Sequence, residues 1–203
     1  VVCNSFNFAE EKASDFDVRK KYEIPQNAKV LLYVGNISYN KNQAQMVRAF
    51  GVLSEETQEN TYVLFCGADN AKDGLLQGLI ESSQNKSHLV LCGEVDKNEM
   101  TSYYQNANGV VLLSYAEGFG LSLVEGMHFG LPCAMPYDLD AYEDIYDPTS
   151  VIAIEDREDT KVAKAINHLI YEKWDKNLII QSSKRFESRA MAKHYLEVYN
   201  KLK

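Results

Sequence analysis

Short runs of consecutive apolar residues, rich in Leu and Val, alternate along this chain with longer amphipathic stretches. The runs cover residues 29–34 (KVLLYV), 61–66 (TYVLFC), 88–92 (HLVLC), 109–113 (GVVLL), 132–135 and 151–154, and the first three end at Gly35, Gly67 and Gly93. Apolar side chains on successive positions suit strands buried on both faces. Between the runs the period changes to that of a helix. Met46, Val47, Phe50 and Leu53 share one face of a helix over about 42–55. Leu75, Leu76, Leu79 and Ile80 repeat the pattern, as do Met100, Tyr103, Tyr104 and Ala107. Leu121, Val124 and Met127 mark a helix stopped by Gly130 and Pro132, and Val162, Ile166, Leu169 and Ile170 mark another. A last helix is expected over 188–202, with Met191, Tyr195, Val198 and Leu202 on one side and Tyr195 and Tyr199 as packing residues.

Strand–helix alternation of this kind predicts βαβ units: an α/β, doubly wound, Rossmann-like parallel sheet of about six strands. There is no repeat, low-complexity tract or long linker, so residues 1–203 are expected to form a single domain. The acidic stretch 138–159 is the least regular and reads as a surface loop. Ligands of open parallel sheets bind beyond the carboxyl ends of the strands, which directs attention to the residues after each run.

Composition narrows the class. The chain has 203 residues, 45% hydrophobic and 25% charged, with 29 acidic and 21 basic residues and a formal charge of −8. Such a chain buries a real core and is a poor non-specific nucleic-acid binder. Its cysteines, Cys3, Cys66, Cys92 and Cys133, form no C-x-x-C pair, which argues against a zinc site or a disulfide framework. His88, His128, His168 and His194 are never three or four apart, and no nucleophile elbow is present. No apolar run approaches the ~20 residues of a membrane span. The first residue is Val1 and no signal peptide follows, so a cytoplasmic protein is expected, with an N-terminal part absent.

The segment from Ser114 to Met127 carries the most chemistry. It reads S-Y-A-E-G-F-G-L-S-L-V-E-G-M, a buried strand entering a glycine turn and then a helix. A helix starting near Gly120 offers free N–H groups and a positive dipole end to an anion. Glu117 and Glu125, eight residues apart, can face one cleft, where carboxylates accept paired hydrogen bonds from vicinal sugar hydroxyls. Taken alone, the segment also fits a glycine turn with two solvated glutamates. It is not a dinucleotide fingerprint, because Leu123 stands where the third small residue belongs. Lys41 is a cation at a helix start, unfavourable for the helix, or else a solvated surface lysine. Asp138 and Asp140 form a D-x-D that reads as a polar turn more readily than as a metal site.

The same segment resembles the signature of the group 1 retaining glycosyltransferases of the GT-B fold: two glutamates separated by seven residues within E-G-F-G-L-x-x-x-E-x-M-x-x-G-x-P. Further pieces follow in the family's order. These are Val34-Gly35 followed by Lys41, Phe65-Cys66-Gly67, Leu91 to Val95, and Tyr104 to Ala107 ahead of Val110. Glu143 stands at the family's G-G-x-x-E glutamate, and Asn4 resembles the linker Asn where the family's second domain begins. The resemblance spans nearly the whole chain but only the C-terminal half of that fold.

The resemblance implies roles. Glu125 would bind ribose hydroxyls and Glu117 the transferred sugar. Backbone of Gly118, Phe119, Gly120, Leu121 and Ser122 would face sugar and phosphates, with Gly35 and Asn36 at the first-strand turn. Lys41 would neutralise the leaving diphosphate and Val95 would meet the base. The family usually has Arg where Asn36 stands, and its glycine pair is replaced before Glu143. The implied partners are a nucleotide-sugar donor and a hydroxyl acceptor, a polysaccharide or glycolipid, held by an absent N-terminal domain. No cofactor and no metal are implied. The last helix would pack toward that domain, through which peripheral membrane contact would arise, and the 203 residues alone are expected to be inactive. A non-catalytic nucleotide-sugar-binding domain and an epimerase or phosphorylase on the same fold are the alternative readings.

Overall fold

Six strands of the computed structural model, which describes residues 16–201, pair in parallel to form one sheet. In chain order the elements are α1 (Val18–Lys21), β1 (Lys29–Val34), α2 (Gln43–Val52), α3 (Glu55–Glu59), β2 (Thr61–Cys66), α4 (Leu75–Ser82) and β3 (Leu89–Gly93). There follow α5 (Lys97–Asn106), β4 (Gly109–Val111), α6 (Leu121–His128), β5 (Cys133–Pro136), α7 (Tyr142–Ile145) and β6 (Val151–Ile154). The chain closes with α8 (Asp159–Tyr171), α9 (Lys176–Ser183) and α10 (Ser188–Lys201). The strands lie in the order β3-β2-β1-β4-β5-β6.

The alternation of side chains across each strand builds two core layers. Val30, Leu32, Leu64, Cys66, Val110 and Leu112 face one side, with Leu123, Val124 and Met127 of α6. Leu31, Tyr33, Val63, Phe65, Val111 and Leu113 face the other, with Met46 and Phe50 of α2 and Ile166 and Leu169 of α8. Both layers are buried, so β1, β2 and β4 read as apolar runs on consecutive positions. Gly126 lets α6 settle on the sheet: a Cβ there would lie 2.5 Å from Val110 Cγ2.

Four sequence expectations are corrected. β3 is an edge strand: Leu91 is 38% exposed, because no strand covers its outer side. The stretch 138–159 is not a plain loop. It contains α7 and β6, and Leu139, Ala141 and Ile145 are buried beneath its acidic surface. Tyr199, expected to pack, is 68% exposed. The helical pattern over 42–55 ends at Val52, and Ser54 caps the separate helix α3 by accepting from Thr57 N–H. Cys3, Asn4 and Leu202 lie outside the described residues, as do the side chains of Met191, His194, Tyr195 and Val198.

Candidate functional site

The order of the sheet reverses between β1 and β4, and the helices that follow these two strands, α2 and α6, pack on opposite faces. The loop after β1 is pressed against the end of β2. A Cβ on Gly67 would fall 2.3 Å from the Gly35 carbonyl oxygen, so only glycine allows the two strand ends to touch. Ile37 then pairs with Asp69, and the Asn36 side chain accepts from Ala68 N–H at 3.2 Å. From this anchored turn the chain rises to Lys41.

The loop after β4 is held to it by Asn40. Its side chain donates to the Ala116 carbonyl at 2.9 Å and accepts from Ala116 N–H at 3.1 Å, while its carbonyl accepts from Tyr115 N–H at 2.8 Å. Beneath, the buried Tyr33 hydroxyl donates to the Lys41 carbonyl and accepts from Leu113 N–H at 2.8 Å. Burial pushes that phenol above its ordinary range, so it stays neutral and serves as both donor and acceptor. Arg157, just before α8, closes the other flank by donating to the carbonyls of Leu113 at 2.9 Å and Ser114 at 2.8 Å. Its remaining N–H groups take both oxygens of Asp138, at 2.9 and 2.8 Å. The D-x-D aspartate is therefore engaged by a guanidinium. Among the described residues no group of three His, Cys, Asp or Glu side chains is arranged to hold a metal ion.

Two loops fixed in this way place Lys41 Nζ 2.6 Å from Glu117 Oε2, both side chains mostly buried. Gly118 makes the exposed turn, and Phe119 is buried edge-on against Phe186. Gly120 caps α6 at φ 74°, a left-handed conformation that favours glycine. A cavity of about 410 Å³ opens here, lined by Val34, Lys41, Glu117, Gly118, Phe119, Gly120, Leu121, Ser122 and Glu125. Leu121 and Ser122 begin α6, so the positive end of the helix faces the cavity.

Glu125 stands one helical turn further in. Tyr104 of α5 donates its hydroxyl to Glu125 Oε2 at 2.5 Å. Burial raises the Glu125 carboxyl above the usual carboxylate range, while the Tyr104 bond and the Lys97 ammonium act in the opposite direction.

The structure thus gathers Lys41, Glu117, residues 118–122 and Glu125 around one hollow; the sequence spacing pointed to a shared cleft for the two glutamates, and the family resemblance to Lys41. Gly35 lies behind this wall, against the Lys41 stem, where a Cβ would be 3.5 Å from Lys41 Cδ. Asn36 is tied to the β2 loop. Val95 sits in the turn after β3, packed on the core layer beneath α6 and outside the cavity lining. Sequence reasoning did not find Tyr33, Asn40, Lys97 or Arg157 as parts of this site.

Sheet order and rim cavity define a Rossmann-like α/β domain with a hollow beyond the carboxyl ends of its strands. The family model for glycosyl transferases group 1 matches residues 14–190. The chain belongs to that family. It is 26% identical over 132 residues to O-antigen chain mannosyltransferase B of Escherichia coli, covering 65% of this chain and 34% of that protein. It is 32% identical over 121 residues to alpha-monoglucosyldiacylglycerol synthase of Streptococcus pneumoniae, covering 57% of this chain and 26% of that one.

Among solved structures, the lipopolysaccharide outer core galactosyltransferase WaaB, in its apo form, superposes with a TM-score of 0.78 at 17% identity, over 99% of this chain and 55% of that one. Anabaena HepE in complex with UDP and glucose gives 0.80 at 16% identity, over 97% of this chain and 55% of that one. At such identities the likeness is one of fold, the Rossmann-like half of GT-B. The chain spans about a third or less of these curated relatives and about half of these solved structures.

Proposed function

We propose that this chain is the donor-binding domain of a retaining glycosyltransferase, which moves a sugar from a nucleoside-diphosphate sugar to the hydroxyl of a polysaccharide or glycolipid acceptor. The observation that carries this reading is the convergence of Lys41, Glu117, Glu125 and the start of α6 on one cavity. Glu125 accepts hydrogen bonds from ribose hydroxyls, and Glu117 holds hydroxyls of the transferred sugar. Lys41 and the α6 amides meet the phosphates. Departure of the diphosphate builds negative charge, and a fixed ammonium beside a helix N-terminus stabilises it.

In the free domain Glu117 neutralises Lys41. An incoming diphosphate takes over the ammonium, and Glu117 turns to the sugar. Catalysis in this scheme needs no metal, because the positive charge comes from the chain itself and Asp138 is paired with Arg157. The names of the relatives, a mannosyltransferase and an alpha-monoglucosyldiacylglycerol synthase, and the UDP and glucose in HepE favour the same chemistry. The acceptor belongs to a further domain that α10 would approach.

The test is a titration of the 203-residue chain with UDP, GDP and ADP, followed by NMR. Shifts confined to residues around Lys41, Gly120 and Glu125, lost in Glu125→Ala, are expected. Binding that persists unchanged in Glu125→Ala rejects the assignment.

A further inference from the structure

Tyr104 packs as a core residue, yet its hydroxyl ends on a carboxylate of the cavity wall. The side chain is 3% exposed, and its ring stacks on Phe129 with centroids 5.1 Å apart and planes 9° apart. Phe129 follows directly after α6, and its N–H donates to the Glu125 carbonyl at 3.3 Å. The ring is therefore seated on the very turn of α6 that carries Glu125. Its hydroxyl donates to Glu125 Oε2.

Packing alone would be satisfied by phenylalanine at this position. A buried hydroxyl is costly to place in an apolar layer unless it is bonded. Here its bond is to a carboxyl oxygen, which when ionised is a stronger acceptor than a neutral oxygen. An ionised carboxylate has capacity for about four donors. One taken by Tyr104 from the interior side holds the plane of the group and leaves the cavity side open for a ligand's hydroxyls.

We infer that Tyr104 is the positioning residue for Glu125: it holds the carboxylate from within the core and turns its free lone pairs into the cavity. The inference rests on the donor-binding reading for what Glu125 recognises, but not for the Tyr104–Glu125 contact itself. Lys97 at the start of α5 attracts the same carboxylate, and Lys41 and Glu117 stand across the cavity. His128 is one turn further along α6, edge-on to Phe129. The thiols of Cys66 and Cys133 lie on the Tyr104 side. Of these groups, the Tyr104 hydroxyl is the neutral donor that both orients the carboxylate and favours its ionised form.

The experiment is Tyr104→Phe in the 203-residue chain, with Glu125→Gln as the control. Glu125 is followed through its side-chain carboxyl carbon in ¹³C-glutamate-labelled protein, and affinities for UDP and GDP are measured by calorimetry across pH. Tyr104→Phe is expected to raise the Glu125 titration midpoint. It should weaken the nucleotide it binds by about tenfold at neutral pH, the size of one hydrogen bond to a charged group. The acid limb of the binding profile should move up in pH by the same interval, which a purely structural role would not do.

An unchanged midpoint with unchanged affinity overturns the inference. If Glu125→Gln still loses the nucleotide in that case, the donor reading survives. A raised midpoint in Tyr104→Phe together with full affinity in Glu125→Gln supports the positioning contact and overturns the donor role of Glu125. Phe129→Leu, which loosens the ring without touching the hydroxyl, guards against a misfolded Tyr104 variant. It is expected to raise the midpoint by a smaller amount, and no change there counts against the inference.

Discussion

The Lys41 ammonium lies 2.6 Å from Glu117 Oε2, joining the loop after β1 to the loop after β4 across the point where the sheet reverses its order. Both partners are largely withdrawn from water, so the pair keeps more strength than an exposed one. It also sets the charge of the cavity wall, where the cation is paired with a carboxylate; on the donor-binding proposal a diphosphate would compete with Glu117 for it.

Lys41→Met should therefore weaken binding of a nucleoside diphosphate by about tenfold or more, the cost of one charge-assisted contact to phosphate. Affinity for the bare nucleoside should stay within about twofold. Isothermal calorimetry with UDP against uridine, or GDP against guanosine, makes the comparison. Equal losses for both ligands would show that Lys41 acts on the loop and not on the phosphates.

Glu125 links the site to stability through pH. Its carboxyl in the folded chain binds its proton more tightly than in the unfolded chain, because burial disfavours the charge. Stability from this group is thus fully present below the unfolded carboxyl range and is lost as pH rises through the raised folded value. Glu125→Gln removes the buried charge. It should melt higher than the parent at neutral pH, with the advantage vanishing in acid. A calorimetric melt at several pH values tests the sign.

Gly126→Ala places a Cβ 2.5 Å from Val110 Cγ2 and 3.5 Å from Cys133 Sγ. The helix must lift from β4, at a cost of about 1–3 kcal/mol for overpacking. Since α6 also carries Ser122 and Glu125, urea unfolding should show the loss of stability and nucleotide titration a parallel loss of affinity.

Arg157→Ala removes the Arg157 donor from the Ser114 carbonyl, leaves the Leu113 carbonyl with the Asn42 side-chain amide at 3.3 Å, and frees Asp138. Leaving a buried acceptor without its donor costs about 1–3 kcal/mol, which chemical denaturation reads directly. The same ion pair bears on metal dependence. With Asp138 held by Arg157, treating the parent chain with EDTA should leave its nucleotide affinity unchanged, whereas a Mn²⁺-dependent affinity would reassign the D-x-D.

Much of the scaffold was legible in the linear pattern. β1, β2 and β4 carry unbroken apolar runs because each is covered on both faces, and that pattern survives in one dimension. β3 has the same run without the same environment: only its place at the sheet edge exposes Leu91, and no local signal reports an edge. The 138–159 stretch misled because its surface is acidic while Leu139 and Ile145 point inward. α9 had a legible start, Asp175 accepting from Asn177 and Leu178 N–H, but its short apolar stripe left no clear period.

The site divides along the same line. Glu117, the glycine turn and Glu125 sit within one strand–turn–helix unit, so their mutual placement follows from local geometry and their spacing already implied a shared cleft. Residues that anchor this unit have no such signal. Tyr33 meets Leu113 across 80 positions, Asn40 meets Ala116 across 76 and Arg157 meets Leu113 across 44.

Local periodicity and turn chemistry, then, determined that this chain forms strands, helices and a glycine-turn helix start with one carboxylate before it and one on its second turn. Which loops meet over the sheet was decided by the strand order, a property of the whole packed layer that puts β1 beside β4. Only that adjacency brings Lys41 to Glu117 and closes a cavity, because contact between distant loops depends on how two core layers bury their surfaces together and not on any short stretch of residues.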